Sequence, residues 1–449
     1  MRTVIENAAV VTVTGAEYAS GHLVATDGVI ESVGAGPAPA GRVDRYVDGA
    51  GCLVTPGLVN THHHLYQWAT RGLAQDSTLF EWLTELYPVW AGLDEKITHA
   101  ASLAGILRLA LTGCTTVADH HYVHPREGGD LARSIVDASA VVGTRIHLVR
   151  GSMDRGESDG GLPPDSIVED IDAALAGTAD VIDSYHDTEP DAFARVAVGP
   201  CSPFTVTEEL MRETAALGRD KGVRLHTHLA ETLDEERQCL DEFGCTPVEY
   251  AERTGWLGDD VWLAHGVHLS DTAIARLGAT GTGVAHCPTS NGRLGTGIAR
   301  VADLLAAGVP VGLGVDGAAS NEDGGLGGEL RAATYAARAT GGPAAMSARD
   351  ALRMATIGGA RCLGRQDELG SLEVGKLADL AVWRVDGVEH AGIADPVAAL
   401  VFGALPPLVL LLAGGRVVVQ DGVCTTVSAA ETAAALRRES ARLLAKAGR

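Results

Sequence analysis

The sequence predicts an α/β protein: a (β/α)8 barrel with a small β-sandwich built from both ends of the chain. Three observations carry this reading. Eight short apolar runs, centred near Val59, Thr116, Ile146, Ala197, Leu225, Leu263, Ala285 and Leu313, alternate with helical stretches rich in Ala, Leu, Glu and Arg. Polar residues gather at the C-terminal ends of these runs, where barrels of this kind hold their active sites. A doubly wound sheet fits the alternation but not that placement. Finally, both chain ends read as strands and turns, and neither end has enough strand to bury a sheet face alone.

Within residues 1–56, strands are expected at Ala9–Thr14, Gly21–Ala25 and Gly28–Val33. The Gly/Pro-rich stretch 34–41 is a loop and not a phosphate cradle, because no helix follows it. The barrel is expected over 57–365. From 366 to 449 the β pattern returns at Ala378–Trp383 and Gly415–Gln420, and Ala429–Lys446 reads as a helix. The apolar run Val397–Ala413 approaches membrane length, but Gly403 and Pro406-Pro407 divide it. It reads as two buried elements joined by a turn.

At 449 residues, with 46% hydrophobic and 21% charged, the chain has ample core. Its net charge of −23 argues against nucleic-acid and anionic-membrane partners, which need a basic face. The eight cysteines are scattered singly with no CxxC pair, so neither a zinc ribbon nor a disulfide framework is indicated. The opening Met1-Arg-Thr-Val-Ile-Glu-Asn lacks the apolar core of a signal peptide. A reduced, cytoplasmic protein is the expectation.

The chemistry is concentrated at strand ends. Run one ends in Asn60-Thr-His62-His63-His64, and two residues along a strand share a side, so His62 and His64 point the same way. Run five ends in His226-Thr-His228 with Glu231 three residues on; run six ends in His265 and run eight in Asp316. Imidazoles with a carboxylate suit zinc, and iron or manganese accept the same donors. Spacing alone does not choose between His226 and His228. Each piece by itself is more often a polar strand end than a ligand, but four such ends in this order have few innocent explanations.

The stretch Pro56-Gly-Leu-Val-Asn-Thr-His-His-His-Leu, with His228-Leu-Ala-Glu-Thr, Ala264-His265 and Gly314-Val-Asp-Gly317, resembles the amidohydrolase superfamily. Within it the likeness is to cytosine, guanine and S-adenosylhomocysteine deaminases and triazine hydrolases. His62-His-His-Leu-Tyr-Gln67 and Arg150-Gly-Ser-Met are most similar to the 8-oxoguanine deaminases. The resemblance implies His62, His64, His228 and Asp316 as metal ligands, His226 as a support, and Glu231, His265 and Asp316 as the groups that handle protons. Many members bridge two metals through a lysine on strand four. None of the four lysines (Lys96, Lys221, Lys376, Lys446) lies on that run, so one zinc ion per chain is expected. It also implies a small heterocyclic substrate and a homo-oligomer.

Gln67, Arg150, Trp90 and Cys201 are the expected substrate contacts. Gln67 follows His64, Arg150 ends run three, Cys201 follows run four, and Trp90 belongs to a Trp82–Tyr87–Trp90 cluster suited to stacking on a flat ring or to an interface. Other motifs carry no function. Gly312–Gly317 matches GxGxxG but sits late, on the strand end that supplies Asp316. Gly370–Lys376 is nearly a P-loop, but Leu377 stands where Ser or Thr would hold Mg²⁺.

Overall fold

Eight parallel strands close into a barrel: β1 (Leu58–Asn60), β2 (Cys114–His121), β3 (Arg145–Ser152), β4 (Ala194–Pro200), β5 (Arg224–Leu229), β6 (Val261–His265), β7 (Gly283–His286) and β8 (Val311–Leu313). The computed structural model describes residues 1–449. Each strand pairs with its sequence neighbour, and β8 returns to β1 through Leu313 and Asn60. All eight predicted runs fall on these strands. Their inward residues are mostly small: Val59, Ala118, Val149, Ala197 and Ala285 pack around Trp262, and Cys362 and Leu363 belong to the same cluster. A narrow barrel has room for little more.

The two chain ends form one continuous nine-stranded sheet. Cys52–Pro56 is its seam, pairing parallel with Ala9 and Val10 and antiparallel with Leu380–Arg384. The two halves share a core of 14 buried residues, among them Ile5, Leu23 and Ile30 from one end of the chain and Leu380, Val382 and Leu410 from the other. The expected sandwich is therefore a single sheet around its own core. A short strand, Arg45–Asp48, was not foreseen; only Val47 of its four residues packs on the sheet core, and Tyr46 and Asp48 are exposed. The run 397–413 does divide, into helix Pro396–Phe402 and strand Leu408–Ala413, and no helix is long and apolar enough to cross a membrane.

Sheet and barrel meet at a buried ion pair. Arg145, the first residue of β3, sets Nε and Nη2 each 3.0 Å from the two oxygens of Asp379, which also accepts from Gly414 N at 2.6 Å. At the other end of the sequence, helix Ala429–Lys446 lies on helix Glu95–Leu111, where Arg442 and Lys446 clasp Asp94.

Candidate active site

The site lies at the C-terminal ends of the strands. Past β1 the chain makes a second, two-residue ladder, with His63-His64 beside Asp316-Gly317, and Asp316 N donates to His62 O at 3.1 Å. This ladder brings the His-x-His and the aspartate together. On β5, alternation sends His226 and His228 inward while Thr227 turns out to Pro200 O at 2.7 Å. Backbone strain concentrates here. Ala230, His265 and Asp316 all adopt positive φ (55°, 73° and 60°), a region that non-glycine residues occupy only when their surroundings hold them.

The protonation of the imidazoles follows from their partners. His64 Nδ1 faces His120 O at 2.7 Å and His228 Nδ1 faces Cys201 O at 2.6 Å. A carbonyl only accepts, so both Nδ1 atoms carry the proton. His226 likewise donates from Nδ1 to Trp262 O, leaving its Nε2 to accept from His62 Nδ1 at 2.8 Å. The Nε2 atoms of His62, His64 and His228 are then bare lone pairs. Yet His64 Nε2 and His228 Nε2 stand 3.1 Å apart, and Asp316 Oδ1 lies 3.2 Å from the Nε2 of both His62 and His64. Four acceptors converge with no proton among them, an arrangement that a cation resolves. The donor set, three Nε2 and one carboxylate oxygen with every imidazole tethered through its other nitrogen, fits zinc. Burial holds His62 and His228 well below the usual imidazole range, which keeps them neutral. His226 is committed to the His62–Trp262 chain, and β4 carries no lysine, so the set serves one ion.

Beside it stand His265 and Glu231. His265 Nε2 lies 3.6 Å from Glu231 Oε2 and 3.9 Å from Asp316 Oδ2, and its Nδ1 meets Asn291 Oδ1 at 3.0 Å. Glu235 aims the Glu231 turn by accepting from Ala230 N and Glu231 N at 2.8 and 2.9 Å. Burial, then the charge of Asp316, raises the Glu231 carboxyl well above its usual range, which favours its protonated form. Ser290 Oγ donates to Asp316 Oδ2 at 2.6 Å.

A cavity of about 410 Å³ opens above these groups, lined by His64, His228, Glu231, His265 and Asp316 as well as Gln67, Cys201 and Tyr122. Gln67 is buried, yet neither its amide oxygen nor its nitrogen has a partner. Gly317 makes its place; a Cβ there would fall 1.7 Å from Gln67 Oε1. Burial pushes the Cys201 thiol up to about 12, so it lines the cavity as a neutral S–H.

Two expected contacts lie elsewhere. Val149 faces the barrel interior, so its neighbour Arg150 faces outward, where it forms a two-pronged pair with Glu169 at 2.7 Å. Trp90 is one turn too far along helix Leu79–Trp90; it is fully buried against Tyr66, Trp82 and Tyr87, with its N–H on Thr70 Oγ1. Leu79, Trp82, Leu83 and Tyr87 of that helix line the cavity instead. Trp82 and Trp90, 3% and 0% exposed, are not available to an interface either. The sequence reading missed Tyr122, which continues the inward alternation of Ala118 and His120 on β2 and could have been found that way.

Comparison with known proteins places these features in a lineage. The Amidohydrolase family profile matches residues 53–435. The chain is 44% identical to the 8-oxoguanine deaminase of Pseudomonas aeruginosa, over 99% of each chain. It is 37% identical to an isoxanthopterin deaminase from an unknown prokaryotic organism, over 92% of this chain and 90% of that one. The crystal structure of an atrazine chlorohydrolase from Arthrobacter aurescens, complexed with zinc, superposes with a TM-score of 0.93 at 35% identity, covering 98% of this chain and 100% of that one. This chain is a member of the amidohydrolase family.

Proposed function

We propose that the site deaminates an aminated, oxo-bearing purine-like ring, 8-oxoguanine, to urate and ammonia. The observation that carries the reading is the buried Glu231 facing the lone-pair nest across a cavity that Gln67 enters with an unpartnered amide. The identity to an 8-oxoguanine deaminase over the full chain supports the choice of ring.

His62, His64, His228 and Asp316 would hold a divalent ion, which when bound would lower the pKa of a water from 15.7 towards about 7. The chain's residues do the rest. Asp316 and His265 orient the attacking water, and Asp316 takes its proton while Ser290 holds the other lobe of the carboxylate in place. The water oxygen bonds to the ring carbon that bears the amino group, and Glu231 protonates the adjacent ring nitrogen, a contribution of about 10²–10⁴ in rate. The proton held by Asp316 passes to the amino nitrogen, the C–N bond breaks and ammonia leaves, and the hydroxyl proton of the attached oxygen goes to the Glu231 carboxylate, which restores the acid and leaves the ring a carbonyl. Gln67 offers one donor and one acceptor face to the ring's carbonyl and N–H edge, and the neutral Cys201 thiol lines the wall beside it.

Ammonia release measured as kcat/KM on 8-oxoguanine, guanine, isoxanthopterin and a hydroxytriazine tests this. The largest value is expected for 8-oxoguanine, with adenine, which has no carbonyl, lower by about 10⁴–10⁵. Equal turnover of the four rings contradicts the substrate while leaving the aminohydrolase. Chloride release from a chlorotriazine is the second arm, because the zinc-bound structure that superposes on this chain is a chlorohydrolase. The eight free cysteines, seven of them buried, fit a reducing cytoplasm, and self-association is read by light scattering at micromolar concentration.

A further inference from the structure

The opposite end of the barrel holds a second polar cluster. His147 on β3, Arg195 on β4 and Arg224 on β5 lie two residues before the inward-facing Val149, Ala197 and His226, so all three point into the barrel floor. His147 and Arg195 are register partners. With His186 and the backbone of Gly222–Val223 they line an open cleft bounded by Leu363 and Gly364. No Asp or Glu lines it, in a chain whose net charge is −23.

Positive charge here outruns its counter-charge. Arg195 and Arg365 share the single carboxylate of Glu368, each at 2.7 Å. Arg224 has no carboxylate partner and donates to two carbonyls, Cys362 O at 2.9 Å and Asp259 O at 2.7 Å, while the nearby Asp260 is taken by Arg219. The crowding shows in the titration of its members. Burial and then Arg195 push Arg365 down to about 10, and burial followed by Arg195 holds His147 well below the imidazole range. Donors are also left over. Arg195 Nε–H and the single N–H of the neutral His147 ring, a side chain only 2% exposed, have no partner. His186 Nδ1 accepts from Val196 N at 3.0 Å, so its proton sits on Nε2 and is a further donor.

We propose that this cleft binds a small oxyanion, a phosphate group, through Arg195, Arg224, His147 and His186. Guanidinium groups suit the task, being weakly hydrated forks that match phosphate oxygens, and buried donors without acceptors call for a partner. The site is independent of the deamination reading; it shares no residue with the metal nest.

Equilibrium dialysis of the metal-loaded enzyme against labelled inorganic phosphate, with chloride holding ionic strength constant, is expected to return one phosphate per chain. Bound phosphate should also raise Tm saturably, by about 1–3 °C at tenfold over Kd. Arg224→Gln should weaken binding by about tenfold or more. His186→Ala, a half-buried position on the same wall, gives a second reading of at least about threefold should the arginine variant fail to fold. Asp316→Ala, which removes the other place where phosphate could settle, should leave binding intact. Competition by glycerol 3-phosphate assigns the site to a phosphoryl end group, and its failure assigns it to the free ion. Absence of binding at millimolar phosphate overturns the proposal. So does binding that Asp316→Ala abolishes and Arg224→Gln does not touch.

Discussion

Strand β5 puts Arg224, His226 and His228 on one inward face, and the two ends of that face behave oppositely. At the C-terminal end, imidazoles are held neutral, each Nδ1–H spent on a carbonyl or a second imidazole, so that lone pairs converge. At the N-terminal end the inward groups are the guanidiniums of Arg195 and Arg224 beside the neutral His147 ring, with N–H donors left without a partner. The backbone follows the same division. The non-glycine residues with positive φ in the barrel, Ala74, Ala230, His265 and Asp316, all sit at or beyond the C-terminal ends of strands, whereas the N-terminal end is tied down by Arg145–Asp379. Strain is kept where chemistry needs it and stability is secured at the far end, the division expected of such barrels.

The largest effect is expected at the C-terminal end. Asp316→Ala removes the only carboxylate of the nest and the water's base together, and turnover should fall to background with metal lost from the purified protein. Glu231→Gln should keep the metal yet lose about 10²–10⁴ in kcat. Its pH profile separates the proton role from a packing role. Glu231 donates only while protonated, so turnover falls as pH rises through its raised pKa, and the glutamine variant should lack that limb. At the other end, Asp379→Asn leaves Arg145, fully buried, without its counter-charge. Denaturant unfolding should show a loss of about 3–5 kcal/mol with metal content unchanged.

Smaller changes sharpen the same contrast. His226→Phe frees the His62 tautomer without touching a ligand, and metal affinity, read by competition with a chelator, should drop about 10–100-fold. Arg150→Gln should move kcat/KM by less than about threefold while costing about 1–3 kcal/mol, because its guanidinium serves Glu169 and not the cavity. A large kcat/KM loss there would return Arg150 to the substrate.

How much of this was legible in the sequence depends on what fixes each feature. Strands β1 to β8 were, because an apolar run buried on both faces is a local signal. So was the convergence of His62, His64, His228, Glu231, His265 and Asp316, since strand ends of one barrel meet by topology. Arg150 was misplaced because strand register decides which way a residue points: Val149 faces in, so Arg150 faces out. Trp90 was misplaced because a helix's cavity face is set by its tilt, which composition does not encode; Trp82 lies on that face and Trp90 does not. The continuity of the chain-end sheet depends on Cys52–Pro56 pairing on both edges, a long-range contact with no local signature. The basic floor escaped notice for a similar reason. His147, Arg195 and Arg224 lie far apart in sequence and become neighbours only when the barrel closes.

The central claim is that three neutral imidazoles and Asp316 are preorganised for one ion, with His226 excluded by its bond to His62. Elemental analysis of the purified chain tests it most directly. One divalent ion per chain, retained by Glu231→Gln and absent from Asp316→Ala, is the predicted result; two equivalents per chain, or full metal content in Asp316→Ala, would contradict it.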